Sequence, residues 1–330
     1  VRYVAYDEPG EPGVLHVAQG PVPIPASGDV LIAVEAAGVS RADMLQRRGL
    51  YPPPPGASPV LGLEVAGTIA ALGKGVTEWK QGDRVCALCN GGAYAEFVAA
   101  PHGQLLPIPD GWTAIEAASL PENAFTVYDN LFTRARLRAG ETLLVHGGTS
   151  GIGSTAIMFA RALGASVLAT AGSEEKRVAC ERLGADYAID YKKTPDFDAV
   201  VRLFTNGRGV DVILDIVGGD YVERDLKALA LDGRIACIAT MRGRVAQIDL
   251  GLLLSRRATI LGSSLRPRTS EQKAAIAREL RDRIWPLLSK RDPIAPLIDS
   301  IYPFDRAADA HARLESSSHI GKIVLTPVSS

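Results

Sequence analysis

Along the chain, apolar positions follow two rhythms, and the change falls near residue 123. Before it, short apolar runs at residues 30–36 (VLIAVEA), 64–71 (EVAGTIAA) and 84–88 (RVCAL) are broken by Gly and Pro. These runs read as strands, and the first third of the chain reads as all-β. Gly82-Asp83 reads as a turn into the third run. Residues 51–56 (YPPPPG) must form a stiff, extended loop, because four successive prolines cannot enter a helix. Whether that loop covers a cleft or is a plain surface turn is left open by its position.

After residue 123, strand and helix patterns alternate. Residues 142–146, 166–170, 187–189, 210–214, 234–239 and 258–261 read as short apolar strands. Residues 151–163 carry Ile152, Ala156, Phe159, Ala160 and Leu163 at helical spacing, and residues 174–183 predict a second helix. About six buried strands with helices between them predict a doubly wound parallel sheet. A helix over 270–288 and a strand over 322–325 are left over, and they are expected to return to the first domain. The expected division is therefore 1–123 with 266–330 for a β-rich domain, and 124–265 for an α/β domain. A length of 330 residues agrees with two domains.

Composition narrows the function. Hydrophobic residues make up 47% and charged residues 22%, which are ordinary globular values. A net charge of −1 gives no general attraction to nucleic acid or to an anionic membrane. Four cysteines exclude a disulfide-built fold and suit a reducing compartment. Residues 1–10 (VRYVAYDEPG) contain no apolar leader stretch, so a cytoplasmic location is expected. The longest uncharged run, 142–160, is too rich in Gly, Ser and Thr for a lipid-facing helix.

The most informative segment is 143–153, LLVHGGTSGIG, where a strand runs into glycines and then a helix. A helix N-terminus offers unpartnered N–H groups and a positive dipole end, which suit a diphosphate. Gly147, Gly148, Gly151 and Gly153 would let the diphosphate approach, and Ser150 could add a hydroxyl. The spacing is a variant of the dinucleotide fingerprint, and the strand–turn–helix setting supplies the structural context. At the end of the next strand (LATAGS) no acid stands ready for a ribose 2′-hydroxyl. Gly172, Ser173 and Lys176 instead favour a 2′-phosphate, hence NADPH over NADH. Glu174 and Glu175 weigh against this, and Lys176 could equally be a solvated helix charge.

Several segments together carry a family resemblance: SRADMLQRRGLY (40–51), PPGASPVLGLEVAG (54–67), LPE (120–122), HGGTSGIG (146–153), TAGSEEK (170–176), DYKK (190–193), LDGR (231–234) and IGKIVL (320–325). Through them the chain resembles zinc-free members of the medium-chain dehydrogenase/reductase superfamily, in its quinone oxidoreductase branch. The resemblance implies an α/β protein with a GroES-like catalytic domain and an inserted Rossmann domain. It implies that Gly148, Thr149, Ser150, Gly151, Ile152 and Gly153 meet the NADPH diphosphate, and that Gly172, Ser173, Lys176 and Tyr191 surround the 2′-phosphate. It implies that Ala239, Thr240, Met241, Ser263, Ser264 and Leu265 approach the nicotinamide. Ser40, Asp43 and Tyr51 would form the substrate end, in a cleft between the domains. Many relatives have Asn where this chain has Ser40. Tyr51 could instead anchor the proline loop, and Asp43 could be a local cap.

Zinc-dependent members place Cys where Ser40 stands and His where Leu63 stands. Neither replacement is a competent zinc ligand, so no metal is expected. Cys86 and Cys89 are the only close cysteine pair, and packing, redox and metal roles stay open for them. The five histidines show no ligand spacing. The expected activity is hydride transfer from NADPH to a quinone, which needs positioning more than a Lewis acid. Reduction of an activated C=C bond is an alternative. A non-catalytic NADPH-binding protein of the zeta-crystallin kind is a third reading. A homodimer through an apolar edge strand near 258–263 is expected, against the alternative that this strand is simply buried.

Overall fold

A computed structural model describes residues 1–288 and 295–327, which form two compact units. The first contains Val1–Phe125 and, later in the chain, residues 265–288 and 296–327; the second contains Thr126–Ser264.

The first unit opens with a hairpin-like pair, β1 (Arg2–Ala5) and β2 (His16–Gln19), joined antiparallel. Its main sheet is built from β3 (Asp29–Val39), β4 (Glu64–Leu72), β5 (Arg84–Leu88), β6 (Phe97–Pro101) and β7 (Leu105–Pro107). β3 is the hub, pairing antiparallel with β4 and β6. The inward residues Val30, Ile32, Val65, Ile69, Val85 and Leu105 share one apolar core. The sheet packs so tightly at Gly67 that a Cβ there would overlap the Ala33 carbonyl oxygen. Three helices interrupt the all-β expectation: α1 (Arg41–Arg47), α2 (Ala114–Ala118) and α3 (Pro121–Val127). Their starts are set locally. Thr113 and Glu116 cap α2, and Ser40 and Asp43 bond across the start of α1.

In the second unit a π-helical turn (Tyr128–Arg134) leads into β8 (Thr142–Val145). Strands and helices then alternate: α4 (Gly151–Ala162), β9 (Ser166–Ala171), α5 (Glu174–Arg182), β10 (Tyr187–Asp190), α6 (Phe197–Phe204), β11 (Val210–Asp215), α7 (Tyr221–Ala228), β12 (Leu229–Cys237), α8 (Leu250–Arg256) and β13 (Thr259–Gly262). The six strands form one parallel sheet in the order β10-β9-β8-β11-β12-β13, the doubly wound arrangement. β13 lies at an edge, with Ile260 and Leu261 only half-buried, so it is not an interior strand. The uncharged run 142–160 is β8, the glycine turn and α4, and among the described residues no helix is long and apolar enough to cross a membrane.

The chain then returns to the first unit. The expected helix over 270–288 is two helices, α9 (Ser270–Arg283) and α10 (Trp285–Leu288). Pro286 lacks the N–H a continuous helix would need, so the break falls just before it. β14 (Ile298–Pro303), α11 (Ala307–Glu315) and β15 (Lys322–Thr326) follow. β15 pairs antiparallel with β3 and parallel with β14, extending the main sheet.

Because the obstruction at Gly67 is backbone, it cannot rotate away. Gly67→Ala is expected to lower the thermal midpoint by roughly 5–10 °C, from overpacking of about 1–3 kcal/mol. Gly13→Ala, where nothing lies within 4 Å of the new methyl, should leave it unchanged in the same melting experiment.

Candidate active site

The glycine turn follows β8 directly. Gly147 has a φ of +68°, a conformation that excludes most side chains. Its N–H donates to Thr170 Oγ1 (3.2 Å), and the Gly148 N–H donates to the Thr170 carbonyl (2.9 Å), which pins the turn to the end of β9. Ser150 is the N-cap of α4: its Oγ accepts from the Gly153 N–H (2.9 Å), and its carbonyl accepts from the Ser154 N–H (2.8 Å). That leaves the N–H groups of Gly151 and Ile152 without a protein partner among the described residues, at a partly exposed helix start. This is the donor pair a diphosphate needs.

The glycines serve packing as well as access. A Cβ on Gly153 would overlap the Gly147 carbonyl oxygen, and one on Gly148 would lie 2.6 Å from Cys180 Sγ and 2.9 Å from the Ala169 Cβ. Gly148, Thr149 and Gly153 are buried, whereas Ser150, Gly151 and Ile152 reach the surface. The expectation that all the glycines clear a path for the ligand is therefore corrected: Gly148 and Gly153 let helix, turn and strand close on one another.

At the end of β9 the structure brings Gly172, Ser173, Lys176 and Tyr191 together. Ser173 caps α5, its Oγ accepting from the Lys176 N–H (3.3 Å). The Tyr191 N–H donates to the Ala171 carbonyl (3.1 Å), and a Cβ on Gly172 would stand 2.7 Å from the Tyr191 hydroxyl oxygen. Glu174 is held by Arg177, whose Nη2 donates to it at 2.6 Å, and the pair lowers the Glu174 carboxyl below its usual range. Of the two charges that weighed against a 2′-phosphate, that of Glu174 is thus matched by a neighbouring cation.

At the same C-terminal edge of the sheet, the segments after β11 and β12 run together. The Met241 N–H donates to the Ile216 carbonyl (3.4 Å) and the Arg242 N–H to the Val217 carbonyl (2.8 Å). Thr240 and Met241 are exposed and Ala239 is partly so. After β13, the Ser263 hydroxyl donates to Asn130 Oδ1 (2.7 Å), while Asn130 Nδ2 donates to the Thr126 carbonyl (2.9 Å). Asn130 escaped the sequence reading, because a π-turn has no periodic signature. Ser264 is exposed, and Leu265 falls in the first unit.

In the first unit, Asp43 is buried and both its oxygens are engaged. Oδ2 accepts from the Ser40 N–H and hydroxyl (2.8 Å each), and Oδ1 accepts from the Gly62 N–H (2.9 Å). Burial pushes its carboxyl up against these lowering bonds. Tyr51 lies under the Arg266 guanidinium, 5.2 Å from its ring centroid, and its carbonyl accepts from Arg266 Nη1 (3.3 Å). Arg266 also donates to Gln46 Oε1 and to the Asn90 carbonyl. Glu64 is fully buried and ion-paired with Lys322. The Glu122 N–H donates to Glu64 Oε2 (3.0 Å), and burial together with the Glu64 charge raises the Glu122 carboxyl to about 7.

The two positions that matter for zinc do not fit it. The Ser40 hydroxyl is committed to Asp43, and Leu63 is a buried hydrocarbon. Among the described residues no group of three or more His, Cys, Asp or Glu is placed to hold a metal ion. Cys86 and Cys89 are buried thiols whose ionisation is disfavoured, Cys89 being pushed up to about 12.

A parallel, doubly wound six-stranded sheet in one unit and an antiparallel β-rich sheet in the other are the architecture of dehydrogenase-like oxidoreductases. Residues 26–110 match the alcohol dehydrogenase GroES-like domain family and residues 151–280 the zinc-binding dehydrogenase family. The chain is 34% identical to the quinone oxidoreductase of Rattus norvegicus over 328 residues, covering 98% of this chain and 97% of the relative. Among solved structures it is similar to a mycobacterial protein complexed with NADPH (TM-score 0.86, 33% identity, 99% and 100% of the two chains). It is also similar to the JamJ enoyl reductase (TM-score 0.85, 26% identity, 98% of each chain). The chain belongs to the medium-chain dehydrogenase/reductase superfamily, and it is an oxidoreductase related to the quinone oxidoreductases.

A raised acid costs stability as it ionises. Between about pH 4.5 and 7 folded Glu122 keeps a proton that the unfolded chain has released, so its contribution to stability falls as pH rises through that window. Glu122→Gln should therefore match the wild type near pH 4.5 and exceed it by about 1–2 kcal/mol at pH 8, measured by urea unfolding.

Proposed function

We infer that this oxidoreductase uses NADPH to reduce quinones without a catalytic zinc. The observation that carries the reading is the pair of N–H groups on Gly151 and Ile152 left without a partner among the described residues, one strand away from an acid-free end of β9 where Ser173, Lys176 and Tyr191 converge. When bound, NADPH supplies the hydride.

The chain's own residues supply position and charge. Gly151, Ile152 and Ser150 bind the diphosphate, the last through the hydroxyl proton its capping role leaves available. Lys176 and Ser173 hold the 2′-phosphate, with Tyr191 against Gly172 closing that side. Ala239, Thr240, Met241, Ser263, Ser264 and Leu265 serve the nicotinamide side, Ser263 being oriented by Asn130. Tyr51 contacts the flat acceptor, and Arg266 holds it in place. Reduction to the hydroquinone takes one proton besides the hydride, delivered by water or a hydroxyl. Ser40 and Asp43, saturated by their mutual bond and by Gly62, act by positioning α1 rather than by exchanging protons. An already electrophilic quinone needs no metal to polarise it, in keeping with Ser40 and Leu63 at the zinc positions. The exposed edge of β13 suits pairing of two copies.

Similarity to the rat quinone oxidoreductase over nearly the whole chain favours a quinone acceptor. Likeness to an enoyl reductase supports a second reading, reduction of an activated C=C bond. A turnover panel of benzoquinone, naphthoquinones and enones separates the two. The expected result is quinone reduction at least roughly tenfold faster than enone reduction, unaffected by chelators. Faster enone turnover, or loss of activity on chelation, would contradict it. Lys176→Ala is expected to weaken NADPH binding roughly tenfold, about 1.4 kcal/mol, with NADH binding unchanged in a fluorescence titration. Equal weakening of both would remove the 2′-phosphate role.

A further inference from the structure

Directly behind the glycine turn lies a polar chain that the proposed reaction does not use. His146, the residue before Gly147, is fully buried, as is Asp225 on α7; Thr170 on β9 is 1% exposed. His146 Nε2 stands 2.7 Å from Asp225 Oδ1, and Nδ1 stands 3.2 Å from Thr170 Oγ1. Thr170 Oγ1 also accepts from the Gly147 N–H (3.2 Å). A carboxylate can only accept, so a neutral His146 carries its proton on Nε2, facing Asp225, and leaves Nδ1 as the acceptor toward Thr170. Nε2–H donates to Asp225, Nδ1 accepts from the Thr170 hydroxyl, and Thr170 accepts from Gly147. The direction of every bond is then set, from the backbone of the turn to a carboxylate on another element.

The surroundings argue that this chain exists for geometry rather than for stability. Phe197 and Tyr221 meet the imidazole edge-on at 4.8 and 5.0 Å, so the ring is clamped in an apolar box. Asp225 Oδ2 has no hydrogen-bond partner among the described residues, and burial pushes the Asp225 carboxyl up. A buried carboxylate with an idle oxygen is costly to keep, and apolar residues would pack the same space without that cost. What the polar chain adds is a direction. It fixes Thr170 Oγ1, and through it the Gly147 N–H in a left-handed conformation, under the helix start that exposes Gly151 and Ile152.

We propose that Asp225, His146 and Thr170 form a positioning network that holds the glycine turn in its ligand-ready shape, and that the turn's affinity for a dinucleotide depends on it. The proposal rests on the reading of that turn as an NADPH site. Thr170→Val removes the acceptor for Gly147 at nearly unchanged shape, and Thr170→Ser retains it. Two measurements read the effect: hydrogen exchange of the Gly147 amide without ligand, and the NADPH dissociation constant by fluorescence. Thr170→Val is expected to exchange at least roughly tenfold faster and to bind NADPH roughly tenfold more weakly. Its kcat at saturating NADPH should stay within about twofold of wild type, and Thr170→Ser should behave as wild type. Should Thr170→Val fail to fold, Asp225→Leu and Asp225→Asn make the same comparison, with Asn preserving the acceptor for Nε2–H. Unchanged Gly147 exchange in Thr170→Val overturns the network itself, and faster exchange with unchanged NADPH affinity overturns its positioning role. Equal effects of Leu and Asn at position 225 do so as well. Wild-type protein that binds no NADPH overturns the cofactor reading and, with it, the purpose assigned to the network.

Discussion

The contact on which the second unit turns is that of Gly153 with the carbonyl of Gly147. No side chain fits there, so the first turn of α4 closes directly onto the loop that precedes it. This closeness decides which backbone donors are spent inside the protein and which remain. Gly147 and Gly148 give theirs to Thr170, and Gly153 gives its own to Ser150. Gly151 and Ile152 keep theirs, at the positive end of a twelve-residue helix. A pair of unspent backbone donors, of the kind an anion can use, thus follows from packing, with no cationic side chain in the turn itself.

The first unit is organised around buried charge. Lys322 on β15 reaches Glu64 on β4 past β3, and the crossing is possible because Gly38 carries no side chain to meet the Glu64 carboxylate. The last strand of the described chain is tied to the fourth by this pair as well as by the sheet. Such a buried pair is weak evidence for net stability, but removing one partner would leave an uncompensated buried charge, which is strongly destabilising. Asp43 works the same way on a smaller scale, joining the start of α1 to Gly62. These buried acids answer to an ammonium and to backbone amides.

Much of this was legible in the chain. The alternation after residue 123 pointed to a doubly wound sheet, and the glycine segment stands between a strand and a helix as read. The acid-free end of β9 and the residues gathered there were also visible. What sequence could not carry was anything set by a contact distant along the chain. The reason for Gly148 is such a case, since Cys180 and Ala169 are far along the chain from the turn. Asn130 lies in a π-turn, and Asp225 meets His146 across 79 residues. The helix α1 was missed although Asp43 could be read as a local cap, because seven residues following a long strand-like run give too short a helical pattern to stand out.

The most direct measurement is an amide NMR titration of the protein with NADPH. The account predicts that the Gly151 and Ile152 amides show the largest shifts within the turn, with Gly148, already bonded to Thr170, moving little. A dinucleotide that binds while leaving Gly151 and Ile152 unmoved would contradict it.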